Sequence, residues 1–292
     1  MTKIVKRLPV EYFCAELENL SEEDRLNINQ QYCRFLRATC NKPRKSEPQI
    51  KVGICSLGST VAGGGVVHPV IICPQRLKED IMFNTIEEKY LSSWDNVHWV
   101  QEVDMGVGGN VDYVAFELDD NGNVKNFQCV ELQAAGTTGT PYPYALALVN
   151  GEPTDDLRDV SGKKITYGIN WANEFTKTMM QQAYKKGKIV EQWQRKIIFV
   201  VQDVAMAYLQ STSDCSLLEP SNPDLSVDFC TFKMEWTESQ GWHLVFDKIL
   251  STSIEGINRI ISGAEAEEYP TPSEFMDTVR RKAIADSVID GE

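Results

Sequence analysis

The feature that most constrains this chain is a stretch of 23 residues, Val111–Gln133, in which two runs of strand character flank the turn Asp119-Asp120-Asn121-Gly122-Asn123. Asn and Gly tolerate the positive φ that a tight hairpin needs, so Val111–Leu118 and Val124–Gln133 are expected to pair antiparallel. A further strand is expected at Val97–Val103. The pairing sets Asp112, near the start of one strand, beside Glu131, near the end of the next. Side chains alternate along a strand, so Glu131 and Gln133 face the same way. Two carboxylates from adjacent strands, with the backbone carbonyl of Leu132, offer the hard oxygen ligands that Mg²⁺ takes while keeping waters for a phosphate. The same pattern also suits an edge strand with a solvated face, and the spacing alone leaves both readings open.

Cysteine placement is the second constraint. The chain opens on MTKIVKRLPVEYFCAE, without an apolar signal segment, so its eight cysteines are expected to be reduced cytoplasmic thiols rather than a disulfide framework. Cys33, Cys40, Cys55 and Cys73 fall in a Gly- and Pro-rich stretch that reads as short strands and loops, with little apolar periodicity to build a core. Four thiolates suit Zn²⁺ or iron, and a bound metal would fold such a segment. The spacing is not the paired CxxC of a zinc ribbon. Scattered buried thiols, with Cys33 on an amphipathic helix, fit it as well. Cys14 lies near enough to be an alternative ligand, and His68, before a proline, reads as a turn residue.

Charge is uneven. The net charge of −13 argues against loose adhesion to nucleic acid or anionic membrane. Residues 1–90, however, hold 13 basic against 11 acidic side chains, and the remainder 16 against 31. Arg25–Lys51 and Arg158–Lys196 are cationic islands, compatible with steered binding of a polyanion or simply with solvated faces. No apolar run approaches the roughly 18 residues of a membrane helix, so no membrane partner is expected.

Elsewhere, Ile169–Gly187 reads as a helix with Trp171, Phe175 and Met179 on one stripe, a Lys pair and a Gly stop. Lys196–Val201 reads as a buried strand, and Ser273–Asp290 as a charged amphipathic helix. Asp155 and Asp156 fit a solvated loop. The segment 58–65 lacks the Lys-Ser/Thr ending of a phosphate loop, and residues 106–110 open a strand rather than a helix. His98 and His243 sit beside Trp in strand-like runs as packing residues, and no Ser or Cys has a nucleophile elbow around it.

The D-x(18)-E-x-Q arrangement of Asp112, Glu131 and Gln133 resembles the PD-(D/E)xK nuclease signature with its final Lys replaced by Gln. The segments GGNVDYV, CVELQAAGTTGT, YGINWANEF and RKIIFVVQD, with CNKPRKS, GICSL and IICPQR upstream, are similar to the NotI-type restriction endonucleases over about Cys33 to Asp203. The resemblance implies an α/β fold: a central mixed sheet flanked by helices, spanning 91–292, with an N-terminal four-cysteine metal-binding subdomain over 1–90. It implies that Asp112 and Glu131 bind catalytic Mg²⁺. Gln133 would stand where relatives carry a Lys; a neutral amide cannot act as a base, so it can only position water or phosphate. The base would then be a metal-activated water or a substrate phosphate oxygen. Glu102, on the preceding strand, is a candidate for a second metal or an outer contact.

The resemblance further implies one Fe or Zn ion held by Cys33, Cys40, Cys55 and Cys73, bracing the basic segment against DNA. Cys33 fits least well, because it lies in a helix-like run. The activity expected is cleavage of both strands of duplex DNA at a GC-rich, GGCC-containing palindrome by a homodimer, leaving 5′-phosphates, in the bacterial cytoplasm. A cognate methyltransferase would share the system without contact. Arg34, Arg37, Arg44 and Arg158 are candidates for reading bases or phosphates. The competing classes are a non-catalytic thiolate-metal DNA-binding or regulatory protein, and a nuclease of the same fold without sequence preference.

Overall fold

The run Ile197–Gln202 has no polar residue before its last position, so both of its faces need cover. In the computed structural model, which describes residues 6, 8–45, 47–60, 65–262 and 271–285, all six are buried. Part of the segment 58–65, the first residues of the chain and 286–290 lie outside the described residues.

In chain order, the N-terminal region forms β1 (Pro9–Tyr12), β2 (Ala15–Glu16), α1 (Glu22–Asn29), β3 (Tyr32–Cys33), β4 (Ala38–Thr39), β5 (Ile54–Thr60), β6 (Val67–Ile71) and α2 (Asp80–Tyr90). A capping box starts α1: the Ser21 hydroxyl accepts from the Asp24 amide, and the Asp24 carboxylate accepts from the Ser21 amide. The strands β2-β1-β5-β6 make an antiparallel sheet, and β3-β4 a separate two-residue ribbon. Cys33 therefore ends a strand and is not on a helix. Gln31 and Arg37 adopt φ of 54° and 52° on either side of it, conformations that no helix accommodates.

The chain continues through β7 (His98–Asp104), β8 (Asn110–Leu118), β9 (Val124–Gln133), β10 (Thr137–Thr138), α3 (Tyr142–Asn150), β11 (Gly168–Ile169), α4 (Met180–Gln192), β12 (Ile197–Gln202), α5 (Asp203–Thr212), β13 (Glu219–Pro220), β14 (Val227–Thr237), β15 (Gly241–Thr252) and α6 (Ile254–Ser262). Seven of these strands form one mixed sheet in the order β13-β15-β14-β12-β9-β8-β7. Only the central β12 is parallel to its neighbours, β9 and β14. Period-two alternation divides its residues. Ile197, Phe199 and Val201 join the core shared with Met180 and Ala183 of α4 and with Ala205 and Leu209 of α5. Ile198 and Val200 join the opposite core, with Met82 and Ile86 of α2. The protein is thus α/β, a large mixed sheet with helices on both faces.

The expected helix at Ile169–Gly187 begins later and runs on: a wide π-helical segment, Ala172–Met179, leads directly into α4. Gly187 is no stop. It lies inside α4, where a Cβ would come within 2.7 Å of Ile254 and 2.9 Å of Val227. The glycine lets the helix lie close to the sheet, and Lys185 and Lys186 fall in mid-helix. The chain through Ile261 forms one compact unit. Ser262–Glu292 forms a second, whose described part, α7 (Pro272–Ala285), exposes Phe275, Met276 and Val279.

Gln202 ties the two sheets together. Its Oε1 accepts from the Ile71 amide at 2.8 Å, and its Nε2 donates to the Pro69 carbonyl at 2.6 Å, all buried. Gln202→Leu is expected to strand both backbone groups and cost about 2–4 kcal/mol. The denaturation midpoint measures this, and the Ile71 amide will exchange faster in deuterium; an unchanged midpoint would refute the tie.

Candidate functional site

The hairpin forms as its turn chemistry dictates. The Asp119 carboxylate accepts from the Asn121 and Asn123 amides at 2.9 and 2.8 Å, and Gly122 takes φ of 81°. Tyr113 then pairs with Val130, which sets Asp112 opposite Glu131. The Leu132 amide donates to Asp112 Oδ2 at 2.8 Å. Amide and carbonyl of one residue in an antiparallel pair project toward the same partner strand, so the Leu132 carbonyl faces this end too.

Glu131 is 4% exposed, and its carboxylate pairs with the ammonium of Lys186, itself 4% exposed, on α4. Lys186 Nζ also donates to the Asn110 carbonyl at 2.6 Å. Three elements, β8, β9 and α4, therefore converge on one charged centre. Burial first, and the Asp112 charge second, push the Glu131 carboxyl up to about 7; Lys186 opposes both. Lys186 thus pairs with Glu131, while the Asp112 carboxylate, close enough for its charge to act on Glu131, has the Leu132 amide as its hydrogen-bond donor; carboxylate oxygens of this kind are hard donors. Gln133 Nε2 donates to the Ala134 carbonyl at 3.0 Å, which leaves its amide oxygen as an acceptor for water.

Lys186 is the residue that sequence reasoning missed. The signal was present: Phe175, Met179, Ala183 and Val190 are buried at helical spacing, and Lys186 occupies the same stripe. Taking Gly187 as a stop hid it, because the stripe then seemed to finish before the lysine.

Glu102 is exposed on β7 with φ of 53°; it lies between the pairs Gln101↔Tyr113 and Val103↔Val111, which puts it opposite Asp112 in the β7–β8 register. The hydrogen bonds that join Asp112, Leu132, Glu131 and Lys186 do not include it. Arg44 pairs with Glu47 and lies 4.0 Å over the Tyr142 ring, while Arg158 pairs with Asp156; Arg34 and Arg37 are exposed. Asp156 meets Lys164 as well, as befits a solvated loop. His98 packs against Phe116 with ring centroids 5.3 Å apart.

The thiols do gather. Cys14 Sγ lies 3.8 Å from Cys33 Sγ and 4.0 Å from Cys55 Sγ. Burial pushes the Cys73 thiol up, and the neighbouring Cys40 and Cys33 add to the effect. Among the described residues, no group of three or more His, Cys, Asp or Glu side chains is drawn into metal-holding geometry. None of the helices among them is long and apolar enough to cross a membrane.

No protein-family profile matches the chain, and no curated protein matches its sequence.

Proposed function

We propose that this chain is a Mg²⁺-dependent type II restriction endonuclease of the PD-(D/E)xK kind. As a homodimer it would hydrolyse both strands of duplex DNA at a short GC-rich palindrome containing GGCC, in a bacterial cytoplasm shared with a cognate methyltransferase. The observation that carries the reading is the closeness of Asp112 and Glu131 on neighbouring strands of a mixed sheet, one position beyond the Tyr113↔Val130 pair, with a buried ammonium on Glu131.

In that role Asp112, Glu131 and the Leu132 carbonyl hold the metal, and Gln133 orients water through its free amide oxygen. Mg²⁺, when bound, polarises the phosphate and makes water a better nucleophile. Lys186 keeps Glu131 fixed and supplies a positive charge where the phosphate gains negative charge. The four-cysteine ion would brace the N-terminal segment, whose Arg34 and Arg37 are exposed.

Incubating the protein with long unmethylated DNA in Mg²⁺, against an EDTA control, tests the reading. Discrete EDTA-sensitive fragments support it; a smear assigns a nuclease without sequence readout; intact DNA across several templates overturns catalysis. The last outcome favours a thiolate-metal DNA-binding protein, in which Glu131–Lys186 is simply a buried ion pair.

A pH dependence follows from Glu131. Its carboxyl is held up to about 7, so below that pH a proton competes with the metal. Cleavage at low Mg²⁺ is expected to fall about tenfold per pH unit below 7. The midpoint moves to lower pH as Mg²⁺ is raised, because metal displaces proton. A midpoint indifferent to Mg²⁺ concentration would count against Glu131 as a ligand.

A further inference from the structure

Trp171 stands where the chain enters the π-helical segment Ala172–Met179. Such segments are rare, widen the helix and recur at functional sites. The indole ring stacks on Tyr208 of α5, with centroids 5.4 Å apart and planes at 24°, and it meets Phe175 at 5.7 Å. These contacts fix the ring, yet it is only half-buried, and among the described residues nothing accepts from its N–H. A tryptophan held this firmly presents an apolar ring and an unused donor to whatever lies beside it.

Beside it lies a cavity of about 230 Å³, whose lining includes Trp171, Ile169, Leu57, Ser59, Thr60 and Lys6. That is smaller than the roughly 300–1,000 Å³ of sites for drug-sized molecules, so it suits a single ring system. Its polar groups are donors: the Lys6 ammonium and the Thr60 hydroxyl have no partner among the described residues, whereas the Ser59 hydroxyl donates to the Thr60 carbonyl at 3.3 Å. None of the described residues that line it is acidic. An aromatic wall with donors at its edge matches a nucleobase, which offers a π-face and ring acceptors. Guanine matches best, because its O6 and N7 are adjacent acceptors, whereas adenine replaces O6 with an amino donor that would face the ammonium.

The cavity is tied to the carboxylate hairpin. Gly168–Ile169 pair with Thr137–Thr138, and the Asn170 amide donates to the Gly136 carbonyl at 2.9 Å. Gly136 is three residues beyond Gln133, so their Cα atoms lie at most about 11 Å apart. DNA rises about 3.4 Å per nucleotide along a strand, which brings this wall within a few nucleotides of a phosphate held at Asp112 and Glu131. We propose that the cavity receives an unstacked guanine from bound DNA, with Trp171 stacking on the base and Lys6 and Thr60 donating to its O6 and N7 edge. The inference rests on the proposed DNA cleavage for the source of the base.

Duplexes carrying one bulged guanine, one bulged adenine or no bulge, titrated in Ca²⁺ and followed by fluorescence anisotropy, test the pocket. The bulged-guanine duplex is expected to bind about tenfold tighter than the fully paired one, within the range that base–aromatic stacking supplies, and tighter than the bulged-adenine duplex. Trp171→Leu is expected to bring the guanine-to-paired ratio close to one. Thr60→Val keeps the shape and the aromatic stack while removing one hydroxyl, and is expected to lower the ratio about threefold. A Tm near wild type shows that each variant keeps the fold, and should Trp171→Leu fail to fold, Thr60→Val decides. Deoxyguanosine alone supplies a readout free of duplex binding: the Trp171 indole N–H resonance is expected to shift on titration. Cleaved DNA with equal affinities for the three duplexes overturns the pocket and leaves the nuclease standing, as does a ratio that survives Trp171→Leu. Failure of every duplex to bind or be cut overturns the nuclease reading; the deoxyguanosine titration then decides the pocket alone, an unmoved resonance ending it.

Discussion

Asp112→Asn is expected to lower the rate of Mg²⁺-dependent DNA cleavage by about a thousandfold or more, equivalent to roughly 4 kcal/mol of lost transition-state stabilisation. The substitution is isosteric. Its amide oxygen can still accept from the Leu132 amide, which now meets Asp112 Oδ2 at 2.8 Å, so the hairpin keeps its geometry. What disappears is one of the two negative charges that favour a divalent ion. Binding of duplex DNA in Ca²⁺ and the melting temperature are expected to stay near wild type, which separates loss of chemistry from loss of fold. A variant that cleaves within tenfold of wild type would remove Asp112 from the metal site.

Arg76→Met is expected to cost about 3–5 kcal/mol of stability and lower Tm by roughly 10 °C. Arg76 is 0% exposed, and its Nε meets both oxygens of Glu11, 1% exposed, at 3.0 Å. It also donates to the Trp242 carbonyl at 2.9 Å and pairs with Glu79. The guanidinium therefore fastens β1 to α2 and to the start of β15. Removing it leaves a buried carboxylate whose remaining partner is Ser56 Oγ, at 2.7 Å. The double variant Glu11→Met/Arg76→Met removes both charges and is expected to recover much of the loss. Calorimetry of the three proteins decides the matter; a single variant within 1 kcal/mol of wild type would show that the network is not what holds the first strand.

The hairpin was legible because two independent signals agree there, an alternating apolar pattern and a turn sequence with one good solution. The central strand was legible because a run of six apolar or nearly apolar residues bounded by Lys196 and Asp203 has few alternatives. Cys33 was misplaced because Tyr32–Leu36 is short and polar–apolar mixed, and only the backbone conformations of Gln31 and Arg37 rule a helix out. Those conformations are set by tertiary contacts. Lys186 failed for a different reason: a glycine is a helix stop when its flanks are solvated and a packing residue when another element presses on it. Nothing within the helix itself says which. Of the long hairpin of β14 and β15 only the strand-like run around His243 was legible; Val227–Thr237 buries seven of its first eight residues, and continuous burial erases the alternation that marks a half-exposed strand.

The left-handed backbone at Glu102 bears on how copies of this protein can meet. β7 is the last strand of the large sheet on its side, and at the other end lies β13, two residues long. A strand arriving from another molecule would find a left-handed residue and a charge in mid-ladder at one border. At the other, β13 covers only Leu250 and Ser251 of β15, and further along β15 the Leu244 amide and the Trp242 carbonyl are taken by Glu79 and Arg76. Both borders therefore disfavour fusing two sheets into a continuous one, so a symmetric pair is expected to join through helices or loops.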